Sequence, residues 1–214
     1  MLDLYVSLID GASDMACITL AFGINKAFKN SIADNTIHNA LTFFLFEKED
    51  RPNPKSKDPF LFLGAKQNVY KAWGSFLREP LHQWAKETST RSLQLNQHVA
   101  FVHSKFLLRD PLGDDPIVVS GSANFSDPST TSNDENMLII RGDLRAADIY
   151  FTEFNRIFNH YYFRSVVESA KRRKNGPKPQ ASLFLSETDE WLDKYKPGTL
   201  RSKRVAMFSA MKGF

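Results

Sequence analysis

Short apolar runs alternate with segments of helical pattern along most of this chain, and this alternation limits the fold more than any other feature. Runs that predict strands lie at 16–22, 40–46, 98–108 and 137–141, the last of which we expect to be buried, and 117–126 predicts a strand that runs into a glycine turn. Patterns that predict helices lie at 2–13, 26–33, 69–88 (interrupted at Pro80) and 146–163. Strands and amphipathic helices in alternation pack as layers around one core. The pattern therefore predicts an α/β layered domain.

Charge is distributed unevenly along the 214 residues. Residues 1–165 contain 17 Lys and Arg against 19 Asp and Glu, whereas residues 166–214 contain 11 against 5. The formal net charge of +4 therefore belongs to the tail, and the body is close to neutral. A near-neutral body argues against a general nucleic-acid binder. The chain divides into a predicted lobe, 1–165, and a basic, weakly structured extension, 166–214.

The composition supports a buried core and gives no sign of a metal site or a membrane span. Apolar residues make up 42 % of the chain, and the single cysteine, Cys17, lies in an apolar run. No Cys/His cluster has the spacing of a zinc site, so we expect no metal and no cofactor. Asp3 and Asp10 stand where a secretory signal needs a basic segment, and the longest apolar run is too short to cross a bilayer. We expect a protein that is cytoplasmic or peripheral to a membrane.

Two basic side chains in HSKFLLRD form an unusual pair. His103 and Lys105 are two residues apart on a predicted strand, so both side chains leave the same face, roughly 7 Å apart. An imidazole beside an ammonium is an odd pair to bury, and an anion between them explains it. The alternative is a histidine at a strand end beside a lysine that extends its ammonium to solvent.

A second polar row follows in SGSAN, where Ser122 and Asn124 supply donors suited to phosphate oxygens. Gly121 lets the backbone come close to a ligand, because it has no Cβ. Glu135 is the nearest carboxylate in sequence able to accept a hydrogen bond from an imidazole. The alternatives are a simple turn for the serine and asparagine, and an exposed loop acid for Glu135.

The same residues match a known signature. His103, Lys105 and Asp110 form His-x-Lys-x-x-x-x-Asp, and a Gly-Ser-x-Asn element (residues 121–124) and Glu135 follow in order. In this the chain resembles one lobe of the phospholipase D superfamily over residues 1–165. The resemblance implies an α/β/α sandwich with a mixed central sheet. It makes Lys105, Ser122 and Asn124 phosphate-binding, and it groups Asp110 with the catalytic residues, although we expect Asp110 to hold the loop after the strand.

The resemblance also implies a reaction without a metal. One neutral histidine attacks phosphorus to form a phosphohistidine, and a second, protonated histidine protonates the leaving oxygen and then activates water or an alcohol. Active sites of the family join two lobes, so a second lobe is expected, from a homodimer or from a missing N-terminal half. The abrupt helical start favours the C-terminal lobe of a longer enzyme. In two-lobe relatives the second-lobe histidine more often serves as the acid, so the role of His103 stays open.

The expected function is phosphodiester hydrolysis or transfer, foremost that of a phospholipase D acting on phospholipids. The alternatives are a nuclease of the same superfamily and an inactive binding or assembly lobe. The basic run at 171–174 is either a solvated linker or a contact to anionic lipid or nucleic-acid backbone. No motif surrounds the other histidines, which are His38, His82, His98 and His160.

Overall fold

The structure is a computed structural model that describes residues 1–34, 40–54, 59–74, 101–172 and 187–209. Six strands form one sheet in the order β3-β2-β1-β4-β5-β6. They are β1 (Met15–Leu20), β2 (Leu41–Phe46), β3 (Val69–Trp73), β4 (Phe106–Arg109), β5 (Ile117–Gly121) and β6 (Met137–Arg141). Strands β1, β2 and β3 are parallel, whereas β4 pairs antiparallel with β1 and β5, and β5 antiparallel with β6. The sheet is therefore mixed.

Helices cover both faces of the sheet. They are α1 (Leu2–Asp10), α2 (Lys26–Asp34), the short α3 (Asp127–Thr131), α4 (Leu144–Arg172) and α5 (Leu200–Ser209), with 3₁₀ turns at Ala65–Gln67 and Asp189–Tyr195. Helices α1 and α2 pack on one face in a core that includes Phe44, and α4 packs on the other in a core that includes Phe43. Neighbouring residues of a strand point to opposite faces, so β2 supplies both cores. This arrangement confirms the α/β/α sandwich.

The central strands are buried along their whole length. All six residues of β1 and all six of β2 are buried. Because helices cover both sides of these strands, an unbroken apolar run is favoured over an alternating one. The predicted strands at 16–22 and 40–46 and the predicted helices at 2–13, 26–33 and 146–163 are confirmed. At 117–126 the strand ends at Gly121, in agreement with the predicted glycine turn.

The predicted helix at 69–88 is wrong at its start. Residues Val69–Trp73 form β3, which pairs in parallel with β2. Valine and aromatic side chains suit a pleated surface, and pairing with β2 provides partners for the backbone of this segment. Residues 75–88 lie outside the described part of the chain.

The expectation that β6 is buried is also wrong. This strand lies at the edge of the sheet beside β5. The side chain of Leu138 is 67 % exposed and that of Ile139 is 49 % exposed. An apolar run such as MLIIR does not distinguish an edge strand from a central one, because the difference lies in its neighbours.

The predicted boundary at residue 165 falls inside a helix. Helix α4 continues to Arg172, and within the expected extension Asp189–Tyr195 and α5 are helical. The ring of Phe208 on α5 stacks on that of Phe151 on α4 at 6.0 Å between centroids. Apolar side chains at helical spacing, Leu200, Met207 and Phe208, dock α5 on the core. Most of the run at 171–174 and residues 175–186 lie outside the described residues.

Candidate active site

Three strand ends meet at one edge of the sheet. Because β4 is antiparallel to β5 and β5 to β6, the start of β4 lies beside the end of β5 and the start of β6. The predicted site residues flank these ends and therefore come together: His103, Lys105, Ser122, Asn124 and Glu135. The fold thus joins segments that are up to 32 positions apart in the sequence.

His103 and Lys105 precede β4 rather than lie within it. The strand begins at Phe106, so the expected strand geometry of the pair does not apply. Instead, the Lys105 Nζ donates a hydrogen bond to the backbone oxygen of His103 at 3.0 Å. The imidazole is exposed and makes an edge contact with the ring of Phe22 at 6.2 Å between centroids. Among the described residues, no hydrogen bond is made to the imidazole, which leaves both ring nitrogens available to a ligand.

Thr19 holds the backbone on both sides of Lys105. Its hydroxyl donates to the backbone oxygen of Ser104 at 2.7 Å and accepts the N–H of Phe106 at 3.0 Å. Thr19 is 1 % exposed and lies on β1. A fixed hydroxyl here replaces part of the strand ladder, so the lysine segment can leave the sheet without unsatisfied backbone groups.

Glu47 fixes the approach to His103. This carboxylate follows β2 and is 2 % exposed, and its Oε2 accepts the N–H groups of Phe101 at 2.9 Å and Val102 at 2.7 Å. A buried carboxylate is stable when charge-assisted hydrogen bonds compensate its desolvation. Sequence reasoning missed both Thr19 and Glu47. The signal for Glu47 was an acid placed directly after an apolar strand.

The electrostatics of the pair favour a neutral imidazole. Partial burial lowers the pKa of His103, the Lys105 ammonium lowers it further, and Glu47 opposes both effects. Burial also lowers the pKa of Lys105, whereas the Glu135 carboxylate raises it. A neutral imidazole beside a cation can attack an electrophilic centre while the cation binds an anionic oxygen.

The Gly-Ser-x-Asn element joins the two loops that border the site. The Ser122 hydroxyl accepts the N–H of Asn136 at 3.0 Å, and the Ser122 N–H donates to the Asn136 oxygen at 2.9 Å. A Cβ on Gly121 would stand 2.1 Å from that same oxygen. Glycine is therefore required by the close approach of the start of β6, and the expected approach of a ligand to the same backbone stays a prediction.

Asn124 and Glu135 complete the group. The side-chain oxygen of Asn124 is buried and has no hydrogen-bond partner among the described residues. Glu135 is exposed and acts electrostatically on Lys105. Within the described part of the chain, no hydrogen bond links Glu135 to His103, which was the predicted pairing.

Asp110 lies at the other end of β4. Its carboxylate accepts three backbone N–H groups from the turn that leads into β1, at 2.8 to 3.0 Å. The donors are Ser13, Asp14 and Met15. A left-handed conformation, φ 45°, aims the side chain at this turn. Asp110 therefore holds the turn before β1 through its side chain, rather than the loop after β4.

The family profile described as "Cardiolipin synthase, PLD-like domain" matches residues 54–158, which include all three motif segments. No curated protein sequence matches the chain. The matched segment is therefore a PLD-like domain, the domain of the phospholipase D superfamily.

Two solved structures align with most of the chain. Nuc from Salmonella typhimurium, a phospholipase D family member, is 15 % identical, with a TM-score of 0.47 over 73 % of this chain and 86 % of that one. NucT from Helicobacter pylori is 17 % identical, with a TM-score of 0.46 over 74 % of this chain and 87 % of that one.

One other histidine, His160, lies in the described part of the chain, and it is separate from the site. His160 lies on α4, where it contacts Arg164 and the ring of Tyr161. His38, His82 and His98 lie outside the described residues. Across the described ranges, no cluster of three His, Cys, Asp or Glu side chains is placed to hold a metal ion. Nor does any described helix have the length and apolar character to cross a membrane.

Proposed function

We propose that this chain hydrolyses or transfers phosphodiesters through a phosphohistidine intermediate, with phospholipids as substrate. The observation that carries the proposal is the position of His103, Lys105 and Asn124 next to neighbouring strand ends at one edge of the sheet. A phosphate bound between His103 and Lys105 is held by charge and lies within reach of a nucleophile.

The reaction proceeds in two displacements. An imidazole nitrogen forms a bond to phosphorus as the bond from phosphorus to the leaving oxygen breaks, and a second, protonated imidazole transfers its proton to that oxygen. Water or an alcohol then loses a proton to the second imidazole and displaces the first. Lys105 and the Asn124 amide stabilise the negative oxygens in both transition states. The lowered pKa of His103 suits the attacking role.

The second imidazole comes from a second copy of the chain. No other histidine in the described part of the molecule lies at this edge. The edge strand β6 starts at the site and continues into an apolar surface, which we call the β6 surface. It consists of the exposed side chains of Leu138, on one face of this edge strand, and Ile139, on the other. An exposed apolar surface beside an unpaired strand edge is typical of an interface.

The charge of the lobe favours phospholipid over nucleic acid. Residues 1–165 carry two more acidic than basic side chains, which does not attract a polyanion. Phe22, beside His103, is 64 % exposed and offers an apolar contact to an acyl chain. A superfamily nuclease is the second candidate, because residues 166–214 carry six more basic than acidic side chains.

The test measures headgroup release from phosphatidylcholine and phosphatidylethanolamine vesicles, and cleavage of DNA, by the full chain in the presence of a chelator. His103→Ala should abolish phospholipid hydrolysis, whereas His160→Ala, on α4, should leave it unchanged. The solution mass should correspond to that of a dimer, and the same sample should be active. DNA cleavage without headgroup release would establish the nuclease instead. Activity that survives His103→Ala would refute the catalytic assignment, and a folded chain inactive on both substrates would indicate a binding lobe.

A further inference from the structure

A cavity lies on the α4 side of the sheet. It is bounded by β3, α4, the 3₁₀ turn at Asp189–Tyr195 and α5, and its volume is about 480 Å³. Its walls contain none of the residues that converge at the site edge. The lining consists of Tyr70, Asn155, Asn159, Tyr162, Tyr195, Arg201, Arg204, Val205 and Phe208. This volume is in the range of small-molecule sites.

Aromatic rings surround the guanidinium groups in this cavity. The Arg204 guanidinium lies 5.1 Å from the ring centroid of Tyr70, 6.0 Å from that of Tyr162 and 5.7 Å from that of Phe208. The Arg201 guanidinium lies 5.4 Å from the ring of Tyr195. The two arginines are three positions apart on α5, so they project from one face of the helix.

The cavity carries positive charge without a compensating acid. None of its described lining residues is acidic. No carboxylate in the described ranges forms an ion pair with Arg201 or Arg204. Arg204 donates a hydrogen bond to the side-chain oxygen of Asn159 at 3.1 Å, which leaves most of its N–H groups for a ligand. A half-buried guanidinium, that of Arg204, and an exposed one, that of Arg201, with neutral partners favour the binding of an anion.

The walls are fixed before any ligand binds. The Tyr70 hydroxyl donates to the Leu200 backbone oxygen at 3.1 Å, and the Lys203 Nζ donates to the Asn68 side-chain oxygen at 3.0 Å. These contacts tie the start of α5 to β3. Burial raises the pKa of Tyr70 to about 12, so the phenol stays protonated at neutral pH and adds no negative charge. A preformed site loses less conformational entropy when it binds.

We propose that this cavity binds a small anion that carries a planar ring, the chemistry of a nucleoside monophosphate. Phosphate matches the planar forks of Arg201 and Arg204, and the ring of the ligand stacks on the tyrosine rings. The amides of Asn155 and Asn159 offer polar contacts to the ligand edge. Inorganic phosphate alone leaves the aromatic walls unused. The proposal does not depend on the reaction at His103.

Calorimetric titration of the full chain with adenosine monophosphate, adenosine and inorganic phosphate tests this site. We expect the monophosphate to bind at least about tenfold more tightly than either fragment, a difference of about 1.4 kcal/mol, because each fragment lacks either the charge-assisted contact or the ring stacking. Arg201→Gln, at an exposed position, should weaken binding of the monophosphate about tenfold or more. Arg156→Gln, on the surface of α4 and paired with Glu153, is the matched control and should not change it.

The variant Lys105→Met distinguishes binding in this cavity from binding at the edge of the sheet. Binding that persists in Lys105→Met and falls in Arg201→Gln supports the cavity. Binding that is lost in Lys105→Met and kept in Arg201→Gln places the ligand at the sheet edge and overturns the proposal. Equal affinity for the monophosphate and for inorganic phosphate also overturns it, because the rings then contribute nothing. Absence of binding at millimolar monophosphate would likewise overturn the proposal.

Discussion

The Glu47 carboxylate accepts the backbone N–H of Val102 at 2.7 Å, which ties the end of β2 to the residue before His103. The second acceptor contact, to the Phe101 N–H at 2.9 Å, fixes the direction of the same segment. A catalytic imidazole needs a backbone that does not move relative to its substrate. A displacement near 1 Å lowers the rate by on the order of a hundredfold. Glu47 therefore acts as a positioning residue.

Replacement of Glu47 tests this positioning. Glu47→Ala should lower kcat/KM on an aryl phosphodiester by on the order of a hundredfold, mainly through kcat. Glu47→Gln should recover part of the lost kcat/KM, because an amide oxygen still accepts one or both N–H groups. We expect this variant to lose about 1–2 kcal/mol in the free energy of unfolding. Glu49→Gln, whose acid pairs with Arg51 at the surface, is the control and should match the wild type. Equal kcat in all four proteins would contradict the assignment.

Titration of His103 reports its surroundings directly. Its pKa should lie below the ordinary value of 6.5, since burial and the Lys105 charge disfavour the imidazolium. A lowered folded-state pKa means that the unfolded chain takes up the proton first as pH falls. The associated stability is therefore present above pH 6.5 and lost as pH falls through the folded-state pKa.

The check is an NMR titration of the His103 ring. Lys105→Gln should raise this pKa but leave it below 6.5, because burial remains, and Glu47→Gln should lower it further. A His103 pKa above 6.5 in the wild type would remove the argument for a neutral nucleophile.

Asp110 should matter for stability and not for chemistry. Asp110→Ala removes the acceptor of three backbone N–H groups and places alanine at φ 45°. We expect a loss of about 2–4 kcal/mol in the free energy of unfolding, measured in urea. Asp110→Asn tolerates the same φ and should lose less. In both proteins kcat per folded molecule should equal that of the wild type, and a large fall in kcat would instead place Asp110 in the catalytic group.

Gly121 is required by its neighbour's backbone. Gly121→Ala should cost about 1–3 kcal/mol, because the new Cβ, 2.1 Å from the Asn136 oxygen, forces the end of β5 and the start of β6 apart. Gly113→Ala is the matched control, since its closest contact is 3.3 Å and its φ is not positive. Thermal unfolding of both variants decides the point, and equal stability would contradict the close approach.

The sequence was sufficient for the elements whose signal is local. The apolar run of β1 predicted its own strand, and the motif residues at strand ends predicted their convergence, because antiparallel neighbours share an edge. Glu47 and Thr19 were missed because their partners, Val102 and Ser104, are 55 and 85 residues away, and pairings at that distance leave no local pattern. The exposure of β6 was missed for a related reason. It depends on whether another strand pairs with the free side of β6, and in the described part of the sheet none does.

The β6 surface gives the last prediction. Leu138 is 67 % exposed on the strand that begins beside Glu135, so a second copy that covers it also approaches the site. Leu138→Asp places a charge in that contact, and the loss of apolar burial together with the desolvation of a carboxylate should weaken dimerisation by more than about tenfold. Sedimentation should then show a folded monomer with little activity. Leu4→Asp, on α1 and 42 % exposed, is the matched control and should remain an active dimer. A Leu138→Asp monomer with full kcat/KM would mean that His103 needs no partner, and a variant that stays dimeric would place the interface elsewhere.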